Sequence, residues 1–496
     1  MGTRAKESSL TALGLTAQGH PDVHITGLAV DSRDVKQGYL FAALPGSRVH
    51  GAEFIRFAAR MGAAAILTDR DGARIAAADP DSGEVPLVIL EDPRQALAYA
   101  AALWFGTQPD TVVAVTGTNG KTSVATFARQ IWLAMGIEAV NIGTTGVEGS
   151  YSAPLAHTTP EPITLHRILS QIANEGISHA AMEASSHGLE QRRLDGVRLS
   201  AAGFTNFSQD HLDYHDSFEA YFAAKAGLFD RVLPEDGTAV VNIDDPAGPE
   251  IAEIALDRGC DLLTVGRAPD AALRIRAQRF DATGQEVRFE WNGEARQARL
   301  HLIGGFQAEN ALVAAGLCIA SGAEPDEVFQ ALGLLGTVRG RMQLAATRQN
   351  GATVFVDYAH TPDALKTALT ALRPHALGNL VVVFGAGGDR DTSKRALMGE
   401  AAARYADIAI VTDDNPRSED PDMIRAMVMA GCPDANNVGD RAEAILRGID
   451  LLGPGDALLI AGKGHETGQI VGDDVFPFDD AEQASVAVSA LDGGGS

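Results

Sequence analysis

Val112-Val113-Ala114-Val115-Thr116-Gly117-Thr118-Asn119-Gly120-Lys121-Thr122-Ser123 is the stretch on which the reading of the whole chain turns. Its β-branched half reads as a strand and its second half as a tight glycine turn. Beyond it, Val124, Phe127, Ala128, Ile131 and Met135 recur at helical spacing, and Gly136 stands where the helix should stop. A strand, a glycine loop and a helix N-terminus together make an anion site. Loop N–H groups and the helix dipole face phosphate oxygens, and glycine lets the backbone come close. Lys121 would reach the β- and γ-phosphates of a nucleotide, and Thr122 would offer its hydroxyl to Mg²⁺. An ordinary βα turn with an exposed lysine is the competing reading, because the loop is shorter than the general G-x-x-x-x-G-K-[ST] pattern.

Composition limits what surrounds this loop. The 496 residues leave room for about three domains. Lys+Arg number 40 against 65 Asp+Glu, a formal net charge of −25. So acidic a protein does not coat nucleic acid or an anionic membrane, and it repels phosphorylated substrates at long range. Any anion site must therefore be a local cluster of Arg, Lys and backbone N–H. Cys260, Cys318 and Cys432 are scattered, with no C-x-x-C pair. That fits a reducing cytosol and argues against a disulfide frame or structural zinc. The segment 1–10 is charged and lacks an apolar core, so no signal peptide is expected, and Lys6 does not suit a myristoylation signal. No apolar run approaches membrane length. The expectation is a cytoplasmic protein with no nucleic-acid partner and no membrane insertion.

The chain divides into three expected domains. Residues 1–109 read as a small α/β unit, with strands at 38–44 and 64–67 and a helix at 54–61. Residues 110–338 alternate strands with helices, which predicts a mostly parallel sheet wound on both faces. Ligands gather at the carboxyl ends of such strands. Gly143-Thr144-Thr145-Gly146, Met182-Glu183-Ala184-Ser185-Ser186-His187, and Thr205-Asn206 with Asp210-His211-Leu212-Asp213 fall at these ends, followed by a helix at 218–229 carrying Lys225. Residues 339–496 alternate again and predict a Rossmann-like domain; the glycine turn at 385–391 lacks the G-x-G-x-x-G fingerprint, so NAD is not expected. Each polar stretch has a plainer alternative. Glu183 before two serines could cap a helix, Asp31-Ser32-Arg33 could be a capped turn, 210–213 a solvated turn, and Lys225 a surface lysine.

Taken together, the strings TGTNGKT, DSRDVKQGYLFAALPGSRVHGAEFI, MEASSHGLEQRR, TNFSQDHLDYH and YFAAKAGLF resemble the Mur ligase family, in its order and context and over nearly the full length. The resemblance implies an ATP-dependent amide ligase of cytosolic peptidoglycan precursor synthesis. Its substrates would be UDP-N-acetylmuramoyl-L-alanyl-D-glutamate and a third amino acid, with ATP and Mg²⁺ as cofactors and a monomer as the working form. It assigns Gly117, Thr118, Asn119, Gly120, Lys121, Thr122, Ser123, Asn310, Arg341 and Asp357 to ATP. Val30, Ser32, Ser47, Arg48, Val49, His157, Thr158, Thr159, Ser185, Gln191 and Arg193 go to the nucleotide peptide. Lys121, Glu183, His211 and Lys225 are the catalytic candidates, with Thr122, Glu183, His211 and a carbamate on Lys225 holding metal. The chain departs from the family pattern at His157, Gln307, Arg339 and Gln343, where the family prefers Asn, Asn, Pro and Glu.

Activating a carboxylate with ATP brings two anions together, so lysines and Mg²⁺ are needed to neutralise them. A carbamate turns a lysine of ordinary pKa about 10.4 into a carboxylate-like anion. Asp414-Asn415-Pro416-Arg417 resembles the family's diaminopimelate-selecting motif, which points to meso-diaminopimelate as the added amino acid. Its distal carboxylate calls for a planar cationic fork, and Arg417 and Arg390 are available; the Gly462 carbonyl and Glu466 would hold the ammonium of the same end. A structural arginine in a turn is the plainer reading of Arg417. Two rival functions remain at this point: a folylpolyglutamate synthase, which leaves the Asp31-Ser32-Arg33 domain unexplained, and an ATPase switch, which would turn over ATP without an acceptor amine.

Overall fold

The structure, a computed structural model, describes residues 6–19, 22–46, 49–79, 84–208, 215 and 217–493. Ser47, Arg48 and His211, three of the site candidates, lie outside the described residues. The chain divides into two compact units, Met1–Thr264 with Gly316–Ala323, and Val265–Ala315 with Glu324–Ser496.

In the first unit, β1 (Ser8–Ser9) pairs with β2 (His24–Ile25). A parallel sheet follows in the order β3 (Gly27–Ala29), β4 (Tyr39–Ala42), β5 (Ala65–Thr68) and β6 (Leu87–Ile89), with α1 (Ile55–Arg60), α2 (Arg70–Ala78) and α3 (Pro93–Phe105). Alternate residues of β4 serve opposite faces, as strand geometry requires. Leu40 and Ala42 pack with Leu97 and Trp104 of α3, and Phe41 packs with Ile55 and Ala58 of α1.

The larger sheet of this unit is built from β7 (Thr111–Thr116), β8 (Ala139–Gly143), β9 (Gly146–Gly149), β10 (His179–Glu183), β11 (Ala201–Phe204) and β12 (Thr238–Asn242). Their order is β12-β11-β7-β10-β8-β9, parallel except for the β8–β9 hairpin. The helices are α4 (Lys121–Ala134), α5 (Pro162–Asn174), α6 (Ser186–Glu190), α7 (Phe218–Gly227) and α8 (Gly248–Asp257). Val112 and Ala114 join the core that holds Leu165, Leu169 and Ile251. Val113 and Val115 point the other way and are equally buried. Burial on both faces is why β7 reads as an unbroken apolar run.

β13 (Asp261–Gly266) carries the chain into the second unit. There β14 (Leu273–Asp281), β15 (Gly284–Trp291) and β16 (Glu294–Leu300) form an antiparallel meander. Strict strand–helix alternation over 110–338 does not hold here: Val287, Phe289, Ala298 and Leu300 are buried while the intervening charged residues face solvent, a half-buried pattern that needs no crossover helix. After α9 (Phe306–Ala320) and α10 (Pro325–Ala331), the last sheet takes the order β17-β18-β22-β19-β20-β21, parallel except at β17. Its strands are β17 (Gln343–Thr347), β18 (Thr353–Asp357), β19 (Leu380–Phe384), β20 (Ile408–Val411), β21 (Asn436–Asn437) and β22 (Ala457–Ala461). Phe355, Val382 and Phe384 pack with Leu365 and Leu369 of α11 (Pro362–Leu372) and Met398 of α12 (Lys394–Tyr405). Val354, Val356 and Val381 face α14 and α15. These helices are α13 (Pro421–Met429), α14 (Arg441–Asp450) and α15 (Asp480–Gly493), the last preceded by a hairpin of β23 (Gly468–Val471) and β24 (Asp474–Pro477).

α14 and α15 are tied by a buried ion pair. Arg441 Nε and Nη2 each donate to the Asp480 carboxylate at 2.7 Å, and neither side chain has exposed surface. Such a pair is costly to break from one side, because the partner is left charged and dry. Arg441→Met is expected to destabilise the protein by about 3–5 kcal/mol, while Arg441→Met with Asp480→Leu recovers most of that loss. Urea unfolding followed by circular dichroism checks this, and equal midpoints for the single variant and the parent would contradict it.

Candidate active site

The phosphate-loop candidate stands at the carboxyl end of β7. Gly117 has φ 149° and Gly120, which precedes α4, has φ 88°. At Gly117 a Cβ would stand 1.9 Å from Thr205 Oγ1, so any side chain there would collide with the end of β11. Thr205 Oγ1 donates to the Asn119 carbonyl at 2.6 Å, and Asn206 Oδ1 accepts from the Asn119 N–H at 2.9 Å. Thr118 Oγ1 accepts from the Ser208 N–H at 3.0 Å. The loop is thus braced from the neighbouring strand rather than by itself. Lys121 Nζ donates to the carbonyls of Gly117 and Thr118 at 2.8 and 2.9 Å. Lys225 Nζ, on α7, donates to the same Gly117 carbonyl at 2.7 Å and lies 4.5 Å from the centre of the Tyr221 ring. Lys225 is 1 % exposed, so the surface-lysine reading does not hold. Ser123 is buried in the first turn of α4.

One strand over, β10 ends in Glu183, buried at 1 % exposure. Its Oε2 accepts from Thr122 Oγ1 at 2.9 Å, and its Oε1 from the Thr144 N–H at 2.7 Å. Gly143 makes room for this: a Cβ there would sit 2.0 Å from Glu183 Oε1. Glu183 does not cap the next helix; Ser185 does, accepting from the Gly188 N–H at 3.1 Å. The donors at this junction are hard oxygens, and the Thr145 Oγ1 beside them is buried without a hydrogen-bond partner. Mg²⁺ takes oxygen ligands, usually one or two carboxylates completed by phosphate and water. Thr122 and Glu183 fit that set. Among the described residues there is no group of three or more His, Cys, Asp and Glu able to hold a metal.

The peptide-side candidates continue from the same carboxylate. Thr158 Oγ1 meets Thr144 Oγ1 at 3.1 Å. Thr159 Oγ1 donates to the Glu183 carbonyl at 2.9 Å and accepts from the Ser185 N–H at 3.1 Å. Arg193 donates to the Thr159 carbonyl at 2.7 Å and to Gln191 Oε1 at 2.7 Å. Gln191 and Arg193 then line a cavity of about 110 Å³ with Val30, Leu44, Arg94, Leu97, Glu161 and Pro162. A connected series of hydrogen bonds therefore runs from Thr122 to Gln191, which lines the same cavity as Val30. Ser32 sits two residues on, in a 3-10 turn capped by Asp31, and does not line the cavity; Val49 and His157 are exposed. Arg94 escaped the sequence reading: it is one arginine on an amphipathic helix, with no local motif to mark it.

The second unit holds the remaining candidates, at the carboxyl ends of β18, β19, β20 and β22. Asp357 accepts from the Met342 and Ala359 N–H groups at 2.7 and 2.9 Å, and burial pushes its carboxyl above the usual range. The Arg341 guanidinium lies 5.0 Å from the centre of the Tyr358 ring. Asn310 is buried on α9 and donates to Gln307 Oε1 at 3.0 Å. Gln307 is one departure from the family pattern, and two more have local partners: Arg339 pairs with Asp479 at 2.8 Å, and Gln343 Oε1 accepts from the Gly340 N–H at 2.8 Å. A glutamate at 343 would offer the same acceptor.

Arg417 and Arg390 flank Gly387; a Cβ there would lie 3.0 Å from Arg417 Nη1 and 3.8 Å from Arg390 Cγ. Arg417 has φ 51° and donates through Nη1 to the Gly388 carbonyl at 2.8 Å. Its backbone is clamped by β23, with the Arg417 N–H donating to Ile470 O and the Gly472 N–H to Arg417 O. Asn415 and Pro416 are buried beneath it. Glu466 Oε2 accepts from Asn415 Nδ2 at 2.9 Å, so its charge is partly engaged. Asp414 is 8 % exposed and its Oδ2 has no hydrogen-bond partner; it faces Gly462, whose missing Cβ would lie 2.5 Å away. The side chains of Arg417 and Arg390 thus meet at Gly387, and a buried Asp414 oxygen without a hydrogen-bond partner faces Gly462.

Comparison with known proteins agrees with this arrangement. Residues 24–104 match the sequence profile "Mur ligase family, catalytic domain", 115–318 "Mur ligase middle domain", and 340–464 "Mur ligase, glutamate ligase domain". The UDP-N-acetylmuramoyl-L-alanyl-D-glutamate--2,6-diaminopimelate ligase of Brucella melitensis biotype 1 is 49 % identical over 95 % of both chains. The ligase of the same name from Bradyrhizobium diazoefficiens is 50 % identical, covering 94 % of this chain and 96 % of its own. A solved structure of a UDP-N-acetylmuramoyl-L-alanyl-D-glutamate--2,6-diaminopimelate ligase superposes with a TM-score of 0.74 at 30 % identity, covering 98 % of this chain and 99 % of the other. Likeness of this extent, over nearly the whole length of the chain, means that it belongs to the Mur ligase family.

Proposed function

We propose that the protein joins meso-diaminopimelate to UDP-N-acetylmuramoyl-L-alanyl-D-glutamate at the expense of ATP, in the cytoplasm and as a monomer. The observation that carries this is the cluster at Gly387 and Gly462: the side chains of Arg417 and Arg390 flank the first glycine, and a buried Asp414 oxygen without a hydrogen-bond partner faces the second. A diamino acid with a distal carboxylate has the complementary charges. The near-identical span of relatives bearing that ligase name favours this over folylpolyglutamate synthesis or a bare ATPase. We also propose three functional domains, 1–109, 110–338 and 339–496, a division that the three matched segments support.

The reaction transfers the γ-phosphoryl of ATP to the γ-carboxylate of the D-glutamate, giving an acyl phosphate and ADP. The amine of the amino acid attacks the acyl carbon, a tetrahedral intermediate forms, the amine loses its proton, and phosphate leaves. Loop N–H groups from Gly117 to Ser123 and the N-terminus of α4 bind the phosphates. Lys121 places fixed positive charge on the moving phosphoryl group. Thr122 and Glu183 would hold Mg²⁺, which when bound neutralises phosphate charge as the two anions approach. A second metal would be held by Glu183, His211 and a carbamate on Lys225, whose buried place against the Gly117 carbonyl suits a group working at the loop. Asn310, Arg341 and Asp357 would hold the rest of ATP. The cavity at Val30, Gln191 and Arg193, with Arg94 added, would take the nucleotide peptide, with Ser32, Ser47, Arg48, Val49, His157, Thr158, Thr159 and Ser185 along its course. Arg390 and Arg417 bind the distal carboxylate; Asp414, Gly462 and Glu466 receive the ammonium beside it.

Three measurements test the proposal. Lys121→Ala is expected to cut kcat by about 10²–10³-fold, read from phosphate release with both substrates present; a variant close to the parent would place ATP elsewhere. Lys225→Ala should lose most ligation and regain part of it when short carboxylic acids are added, since they can replace a carbamate oxygen; full activity without them would overturn the carbamate. Selectivity between amino acids is the third. The parent is expected to prefer meso-diaminopimelate over L-lysine by tenfold or more, since an unpaired, partly buried guanidinium costs about 2–5 kcal/mol. Arg417→Ala should erase most of that ratio of kcat/KM, and an unchanged ratio would remove Arg417 from the site.

A further inference from the structure

Between Gly462 and Glu466 the chain carries a cation that the proposed chemistry does not use. Lys463 follows β22 and its side chain is 0 % exposed. An ammonium taken wholly out of water persists only where acceptors replace its hydration. Lys463 Nζ donates to Asn415 Oδ1 at 2.9 Å and lies 3.5 Å from Glu466 Oε2. Burial holds its pKa below the ordinary lysine value, with Arg441 acting in the same direction and the charges of Asp414, Glu466 and Asp480 opposing.

These contacts settle the side chain of Asn415. An amide side chain can in principle face either way. Here Oδ1 receives Lys463 Nζ at 2.9 Å and the Ile470 N–H at 2.9 Å, while Nδ2 donates to Glu466 Oε2 at 2.9 Å. Two donors can be met only by the oxygen, so the flipped amide would face a cation with an NH₂ group. Asn415 stands between Asp414, with its spare oxygen, and Pro416-Arg417, with the φ 51° backbone clamped by β23. Through one amide, Lys463 links the end of β20, the end of β22 and the β23 hairpin. It also reaches Glu466 Oε2, whereas Asp414 Oδ2 accepts no hydrogen bond.

We propose that Lys463 is a positioning residue for the amino-acid substrate: by fixing the Asn415 amide and Glu466, it holds Asp414 and Arg417 at the spacing that reads the two charges at the far end of a diamino acid. The proposal rests on the reading above that this end of the second unit binds the amino acid. Lys463 itself is enclosed and touches no substrate.

The test uses the full-length enzyme with Lys463→Met and Lys463→Arg, varying amino acid, ATP and nucleotide peptide in turn. Leaving Asn415 Oδ1 and Glu466 short of a charged partner should raise the amino-acid KM by about tenfold or more. The KM values for ATP and for the nucleotide peptide should stay within about threefold of the parent. Lys463→Arg, which keeps the charge and the donors, should recover part of the loss. An amino-acid KM unchanged in Lys463→Met, or all three KM values rising together, would overturn the proposal. If Lys463→Met gives no cooperative melt by circular dichroism, Lys463→Gln, a neutral donor, carries the same readout with the same outcomes. A parent that ligates a different amino acid would overturn the choice of meso-diaminopimelate alone, and the effect of Lys463 would then be read on the KM of that amino acid. A parent that ligates none would overturn both.

Discussion

The contact between Thr122 Oγ1 and Glu183 Oε2, at 2.9 Å, is the constraint to which the first unit is fitted. It joins the first turn of α4 to the end of β10. It requires β7 and β10 to be neighbours in register, as they are, with Glu183 opposite Val115. It also requires β8 to end in glycine, because a Cβ at Gly143 would occupy the space of the carboxylate. A buried carboxylate without donors is expensive. Thr122, in the first turn of α4, and the Thr144 N–H, just after β8, supply them at the carboxyl edge of one sheet. The peptide-side hydroxyls then follow from the same residue, since Thr159 hangs from the Glu183 carbonyl and Arg193 from the Thr159 carbonyl.

Electrostatics separates the two units by design of their local charges rather than by net charge. With −25 overall, anions are repelled at a distance, and cations must be gathered where they act. In the first unit, Lys121 and Lys225 converge on one carbonyl. In the second, Arg441 is fully matched by Asp480 and Lys463 is shared between Asn415 and Glu466. Asp414 Oδ2 is left over among them. Spare buried charge costs stability wherever it has no partner, and Arg441 and Lys463 accordingly sit against acceptors.

Local patterning carried much of the fold. The β-branched run 112–116, the glycine turn and the 3.6-residue recurrence after it specify strand, loop and helix whatever surrounds them, because backbone sterics and one apolar face suffice. β14 to β16 were less legible, since a half-exposed strand alternates weakly and was absorbed into a reading of strands and helices taken in turn. The role of the 414–417 turn came from resemblance alone, since no local rule assigns it. No local rule picked out Arg94, whose sequence neighbours are those of any helix.

The sequence by itself determined the strand, glycine turn and helix at 112–134, the alternating α/β character and the absence of a membrane-length apolar run. Tertiary structure decided which carboxylate was left unspent. Asp414 and Glu466 look alike as letters, yet Lys463 and Asn415 engage Glu466 and leave Asp414 Oδ2 bare. It likewise put Lys225 inside, against Gly117, and set Arg94 beside Val30. The physical reason is one of range. Dihedral preference and periodicity act over a few residues. The partners of the buried Lys463 and Lys225 lie 48 and 108 residues away in the chain, and only packing brings them within hydrogen-bond reach.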